Sequence, residues 1–276
     1  MSPVLFHWRS YTLYWYSALL WLGIVLAIAY AQWQGRLRGY LHQQVLDAAL
    51  WVLAGGLLGA RLAYVLPNWQ DYGGRVTALI GLWGGGYAFQ GGLLGGTLAL
   101  WLYSLRARLL RRPAVPVLRP VLLEGLAGLS FPRLADLAAP AVALAQALGW
   151  AGAWVHGANY GLVMRSPFSM WLPDLYGVYG PRFPTQMLAC ALSIVVFLGL
   201  HRLSRLHPPA GRVALLYLLG NGLGHFLLEF TRADDAPYWG LLRWTQIAAL
   251  AEVAVAAVLL VYLRYRRGKK IVEAAG

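Results

Sequence analysis

Apolar residues in this chain come in long runs separated by short polar segments. A bilayer core needs about 20 apolar residues per helix. Seven runs approach that length, at roughly residues 11–32, 45–66, 77–105, 134–155, 186–200, 213–230 and 241–263. The pattern therefore predicts seven transmembrane helices. The third run is long enough to be tilted or broken, and its segment GYAFQGGLLGG, residues 86–96, is where a break is expected. Residues 115–129 are apolar but short and bracketed by proline, which predicts an interfacial or re-entrant piece. The first run has aromatic flanks and lacks a basic start followed by a small-residue cleavage site, so it reads as a retained helix.

Composition agrees with that reading. The chain has 276 residues, of which 59% are hydrophobic and 12% charged, and it carries 13 Trp and 16 Tyr. Such values mark an integral membrane protein. The sole cysteine, Cys190, lies in the apolar run MLACALSIVVFLGL, where it reads as a small packed thiol; no disulfide can form within one chain.

Charge sets the orientation. Sixteen of the 23 basic residues follow the first, third, fifth and seventh runs: Arg36, Arg38, Arg106, Arg108, Arg111, Arg112, Arg119, Arg133, Arg202, Arg205, Arg212, Arg264, Arg266, Arg267, Lys269 and Lys270. On the other side Arg9, Arg75, Arg165, Arg182, Arg232 and Arg243 are offset by Asp71, Asp174, Asp234 and Asp235. The positive-inside rule then puts the N-terminus outside and the C-terminus in the cytoplasm, which an odd number of spans permits. The net charge of +13 is thus a topology signal and a surface for anionic lipid headgroups. Basic residues scattered over four juxtamembrane segments do not form a nucleic-acid surface. The expected fold is an all-α integral membrane protein, a polytopic bundle of about seven transmembrane helices forming one membrane domain over residues 1–276. Residues 157–185, rich in Gly, Pro and aromatics, form an external loop or small head segment within it.

Ionisable groups at membrane depth are costly, so each is a candidate for function. Arg61, Asp136, His225, Glu229 and Glu252 are such groups. His225 and Glu229 are four apart and share a helix face. A carboxylate beside an imidazole suits a general base, and an interhelical polar pair is the alternative reading. Arg232, one turn on, could hold a phosphate or cap the helix in the headgroup layer. His156 lies at the wet outer end of its run. Asp136 and Glu252 read as pairing or capping residues. Gly91 with Gly95, and Gly92 with Gly96, form two small-xxx-small pairs that let another backbone approach closely. They also permit irregular backbone lining a cavity, into which Gln90 would point.

These motifs resemble the bacterial prolipoprotein diacylglyceryl transferase family. WGGGYAFQGGLLGG resembles that family's Trp-Asp-Gly-Gly, two residues, Phe-His-Gly-Gly-Leu; YWYS at 14–17 resembles His-Trp-Tyr-Gly; GARLAYVL around Arg61 resembles Gly-Gly-Arg-x-x-Tyr. DLAAP, GPRFPTQ and the Glu-Phe-x-Arg ending at Glu229–Arg232 also correspond, in order, over nearly the whole chain. The resemblance implies transfer of a diacylglyceryl group from phosphatidylglycerol or a related anionic phospholipid to the lipobox cysteine thiol of a secreted precursor. It implies no cofactor and no metal, and a site at the outer side of a bacterial plasma membrane.

By that resemblance Tyr16, Arg61, Gly161, Arg182, Gln186, Glu229 and Arg232 sit where the family has the same residue types. Implied catalytic residues are His225, Glu229 and Tyr16. Implied lipid- and phosphate-binding residues are Arg61, Gln90, Gly91, Gly92, His156, Gly161, Arg182 and Arg232. Several family groups are replaced: Gln90 stands for a histidine, Trp150 and His225 for arginines, Ala153 and His156 for asparagines, and Ala158 for a glutamate. Two outcomes fit those replacements. Either lipid transfer persists, with His225 and Glu229 as a relocated base pair, or the protein binds phospholipid or lipoprotein precursor without turning it over. A solute transporter would be expected to carry an internal repeat with paired broken helices, and the glycine-rich segment has no second copy. Oligomeric state is left open.

Overall fold

The structure is a computed structural model. It describes all residues except 1–3, 9–10, 74, 76, 78–80, 82–85, 111–128 and 276. The expected piece at residues 115–129 therefore lies, apart from Leu129, outside the described residues, as does much of the stretch 77–86. The same holds for Arg9, Arg111, Arg112 and Arg119.

Seven α-helices occur among the described residues, one in each apolar run: α1 (Trp15–Leu37), α2 (His42–Val65), α3 (Phe89–Leu110), α4 (Phe131–His156), α5 (Thr185–Arg205), α6 (Arg212–Glu229) and α7 (Trp244–Ala275). Five of them, α1, α2, α4, α5 and α7, are long and apolar enough to cross a membrane. The protein is thus a helical membrane protein.

Three two-stranded antiparallel hairpins among the described residues qualify the all-α expectation: β1 (Val4–Trp8) with β2 (Tyr11–Tyr14), β3 (Met170–Pro173) with β4 (Tyr179–Arg182), and β5 (Tyr238–Trp239) with β6 (Leu242–Arg243). Two of them move helix starts. The first run was expected to be helical from Tyr11, but Tyr11–Tyr14 pairs with β1 and α1 begins at Trp15. The last was expected from Leu241, but Leu242–Arg243 is a strand and α7 begins at Trp244. Aromatic and β-branched residues at a membrane interface suit either backbone, and pairing with a partner strand decides.

In the third run the break falls at the start of the expected segment 86–96: α3 starts at Phe89 and runs unbroken through Gly91, Gly92, Gly95 and Gly96 to Leu110. The irregular backbone precedes it, at Gly86, whose φ of 78° is left-handed, and at Ala88, whose N–H bonds Ala60 O of α2 at 3.0 Å.

The chain divides into two compact units, Met1–Ala29 with Ala139–Gly276, and Tyr30–Ala138. In the second, α2 and α3 pack over much of their length. A Cβ on Gly91 would lie 2.2 Å from Ala63 Cβ and 2.4 Å from Gly59 O, and one on Gly95 would lie 2.3 Å from Gly55 O. A Cβ on Gly92 would meet nothing nearer than 3.4 Å. Of the two small-xxx-small pairs, Gly91 and Gly95 therefore form the close crossing with Gly55 and Gly59. The core of this unit is Ala48, Leu100, Tyr103, Leu129 and Leu134.

In the first unit α6 packs on α5 and α7. Its buried cluster is Trp150, Ala153 and Ala189, with Tyr16, Ala158, Cys190 and Leu228 packed around it.

Candidate functional site

The segment after α4 is built by a helix stop. Ala158 N–H bonds Ala153 O at 3.0 Å and Gly157 N–H bonds Trp154 O at 3.3 Å, with Gly157 at φ 78°. This is a Schellman motif, for which glycine is the natural residue. Asn159 follows at φ 53°, a conformation asparagine tolerates better than most. The chain then runs extended between two other backbones. On one side Leu162 N–H bonds Thr231 O and Ala233 N–H bonds Tyr160 O, each at 2.9 Å. On the other, Phe183 N–H bonds Leu162 O and Met164 N–H bonds Pro181 O, again at 2.9 Å. Gly161 thus pairs with Arg232, and Val163 with Arg182. A Cβ on Gly161 would lie 2.0 Å from Phe183 O, which explains why no larger residue stands there.

This arrangement gathers charge. Glu229, the last residue of α6, is almost wholly buried, and each carboxylate oxygen faces an arginine. Oε1 accepts from Arg232 Nη1, and Oε2 accepts from Arg243 Nη1 at 3.4 Å. Arg232 also donates Nε to Asp234 Oδ1 at 2.8 Å, Nη2 to Asp234 Oδ2, and Nη2 to Asn159 Oδ1 at 2.9 Å. Burial opposes the Arg232 charge, but its hydrogen bond to Asp234 and the charges of Glu229 and Asp234 outweigh that, raising its pKa. Arg243 is oriented by the tight β5–β6 turn: its Nε donates to Tyr238 Oη at 3.2 Å and its Nη2 to Arg232 O at 3.1 Å. Arg243 and Asp234 entered the sequence reading only as charges on one side of the membrane. An arginine immediately before an apolar helix, beside Tyr and Trp, was the available signal.

His225 sits one turn below Glu229 in a different network. Glu252 Oε2 accepts Asn221 Nδ2 at 2.9 Å, Asn221 Oδ1 accepts Gln146 Nε2 at 2.7 Å, and Gln146 Oε1 accepts Tyr217 Oη at 3.1 Å. Gln146 Nε2 also lies 2.8 Å from His225 Nε2. A carboxylate is an acceptor, so it orients Asn221, which orients Gln146. His225 Nε2 is then the acceptor and the ring proton sits on Nδ1. The His225 ring lies 5.7 Å from that of Trp150. Both line a small cavity of about 10 Å³, with Gln146, Ser193 and Asn221 as its polar walls. Glu252 pairs as expected, whereas Gln146, Asn221 and Tyr217 were not singled out in the sequence because neutral side chains in apolar helices carry no charge signal. Replacing Gln146 with Leu leaves Tyr217 Oη, Asn221 Oδ1 and His225 Nε2 without this partner, at about 1–3 kcal/mol for each buried group left unpaired. A large drop in the melting midpoint in detergent is expected; an unchanged midpoint would show that the amide does not hold the network.

The remaining sequence candidates fall in two places. Arg182 is buried, pairs with Asp174 at 2.9 Å and lies over the Tyr160 ring at 4.8 Å. Its Nε and the Oε1 of Gln186 are buried and meet no hydrogen-bonding partner among the described residues. Gln186 Nε2 donates to Ala158 O at 2.9 Å, which fixes the amide with Oε1 outward from that bond. Tyr16 and His156 have ring centroids 5.8 Å apart. In the other unit, buried Arg61 donates Nη1 to Gly86 O at 3.1 Å and lies 5.3 Å from the Tyr72 ring and 5.8 Å from that of Tyr87. Gln90 occupies the first turn of α3, directly before Gly91 and Gly92.

The structure thus defines a polytopic helical membrane protein in which Arg232 and Arg243 are gathered on the buried carboxylate of Glu229, beside an extended segment following a helix stop. The family profile of prolipoprotein diacylglyceryl transferases matches residues 3–262, and the chain belongs to that family, a family of transferases. Among its relatives, a phosphatidylglycerol–prolipoprotein diacylglyceryl transferase of Gloeobacter violaceus is 29% identical, over 98% of this chain and 95% of its own. Proteins of the same name from Bacillus licheniformis and Pseudomonas paraeruginosa are 27% and 30% identical, over 98% and 97% of this chain and 95% of each of theirs.

Proposed function

We propose that this protein transfers the diacylglyceryl group of phosphatidylglycerol to the lipobox cysteine thiol of a secreted lipoprotein precursor. In that reaction a sulfur–carbon bond forms at the glycerol carbon bearing the phosphate ester. The carbon–oxygen bond breaks, glycerol phosphate leaves, and the thiol proton passes to a base. The leaving phosphate needs buried cations, and the observation that carries the reading is Arg232 and Arg243 held together on Glu229 beside Gly161. Arg182, also buried in that unit, is assigned to phosphate as well, with Tyr16 and His156 as polar groups for the substrate. Arg61, Gln90, Gly91 and Gly92 are assigned to lipid binding in their own unit. His225 and Glu229 are assigned to the thiol proton. For His225 to accept it at Nε2, Gln146 must first turn its amide, which brings Oε1 round to receive the new N–H.

We assign seven crossings of a bacterial plasma membrane, with the N-terminus and residues 157–185 outside and the C-terminus in the cytoplasm, on the distribution of Lys and Arg. The 1–276 chain is taken as one membrane domain.

One observation favours a second reading, binding without turnover. Both oxygens of Glu229 face arginines and His225 Nε2 faces Gln146, so the proton acceptors already have partners. Complementation of a strain depleted of its own transferase, with glycerol phosphate release measured on a lipobox peptide, separates the two. Growth with release supports transfer. Retained phosphatidylglycerol without release supports binding only.

A further inference from the structure

Among the four charged side chains of the Glu229 cluster, accessibility is uneven. The Glu229 side chain is 1% exposed, Arg243 8% and Arg232 12%, whereas Asp234 is 19% exposed. Glu229 therefore holds both arginines from within, and Asp234 covers them from the open side. Asp234 does so in the manner of a bound anion. Its two oxygens take Nε and Nη2 of Arg232 side by side, and Oδ1 lies 3.7 Å from Arg243 Nη1. That is the bidentate fork which a guanidinium offers equally to a carboxylate or a phosphate. Asp234 also sits in irregular chain, between the pairing of Gly161 with Arg232 and the β5–β6 hairpin. It can leave without breaking a helix or a strand.

We infer that Arg232 and Arg243 form an anion seat which Asp234 occupies in the unliganded protein, and that the phosphate of a phospholipid takes its place. The inference rests on the assignment of Arg232 to phosphate, and it adds Arg243 as a binding residue and Asp234 as its competitor. Seating the phosphate requires the Asp234 carboxylate to swing off both guanidinia, so the affinity observed for lipid is reduced by the stability of the closed arrangement. Glu229 stays, and the seat then holds two cations, one inner carboxylate and one outer phosphate.

The test is the binding of dioleoylphosphatidylglycerol in mixed micelles to the full-length protein and to its Asp234→Asn variant. Dioleoylglycerol, which has the same chains and no phosphate, serves as the control. The amide keeps the shape but weakens the hold on Arg232, so Asp234→Asn is expected to bind the phosphatidylglycerol about tenfold more tightly, the equivalent of one charge-assisted hydrogen bond that need not be broken. Equal or weaker binding by the variant, with the unaltered protein still binding, overturns the competitor role and leaves the assignment of Arg232 to phosphate standing. No preference for phosphatidylglycerol over dioleoylglycerol in either protein overturns both. Should the variant not fold, hydrogen exchange on the unaltered protein answers the question. Amides of residues 233–236 are expected to exchange faster when phosphatidylglycerol is added, and unchanged or slower exchange overturns the displacement.

Discussion

Exchanging Glu229 for Gln is expected to abolish phospholipid-dependent turnover and to destabilise the protein by about 3–5 kcal/mol, the range for breaking a buried ion pair by removing one partner. Glu229 is the inner anion shared by Arg232 Nη1 and Arg243 Nη1. An amide of the same size has one acceptor oxygen, and its NH2 group would face a guanidinium, so at least one arginine is left buried against a donor. The cost is carried by the orphaned cation, which makes a second change informative. Arg243→Met in the Glu229→Gln background removes one of the two cations that face the lost charge and should return part of the lost melting midpoint, while activity stays absent. A double variant no more stable than the single one would place the cost of Glu229→Gln somewhere other than in Arg243. Melting in detergent and release of glycerol phosphate with a lipobox peptide are the two measurements.

How much of this cluster could be read beforehand follows from sequence distance. Glu229 and Arg232 are three apart, and helical spacing alone puts them in reach. Arg243 reaches the same carboxylate from the far end of an irregular segment and a two-residue turn at Gly240 and Leu241, whose apolar letters look like the start of the next membrane helix. The helices themselves were legible because a bilayer demands length and apolarity, and both are visible in single residues. Their ends were less so, since the residues that suit a membrane interface also suit a hairpin.

The positions read from the sequence as replacements show a similar limit. Read singly, Trp150, Ala153 and Ala158 are missing polar groups. In the fold Trp150 and Ala153 are core residues of one cluster with Ala189, and Ala158 and Tyr16 pack against it. The Trp150 ring also lies beside His225, so the two positions that the sequence resemblance reads as replaced arginines are neighbours here. The two rings pack on one another, something neither position considered alone could reveal.

The second large effect lies in the other unit, at the glycines of α3. Gly91→Ala is expected to be severely destabilising, and Gly92→Ala close to neutral, although the two residues are adjacent and identical. A methyl on Gly91 would sit 2.2 Å from Ala63 Cβ and 2.4 Å from Gly59 O, and the second of these is backbone that cannot turn aside. Helices α2 and α3 must then separate, which costs at least the about 1–3 kcal/mol typical of overpacking and forfeits contacts along the whole crossing. A methyl on Gly92 would sit 3.4 Å from both Ala60 Cβ and Gly56 O, an ordinary contact, and alanine is favoured over glycine within a helix by about 1 kcal/mol. Gly59→Ala, which meets Gly91 O at 2.3 Å from the opposite helix, should resemble Gly91→Ala, and the double variant should cost less than the sum because both changes force the same separation. Melting midpoints and folded yield in detergent distinguish the cases. If Gly91→Ala and Gly92→Ala lose the same stability, the close crossing is not what these glycines serve. A backbone opening needed by both would then be the better account of GYAFQGGLLGG.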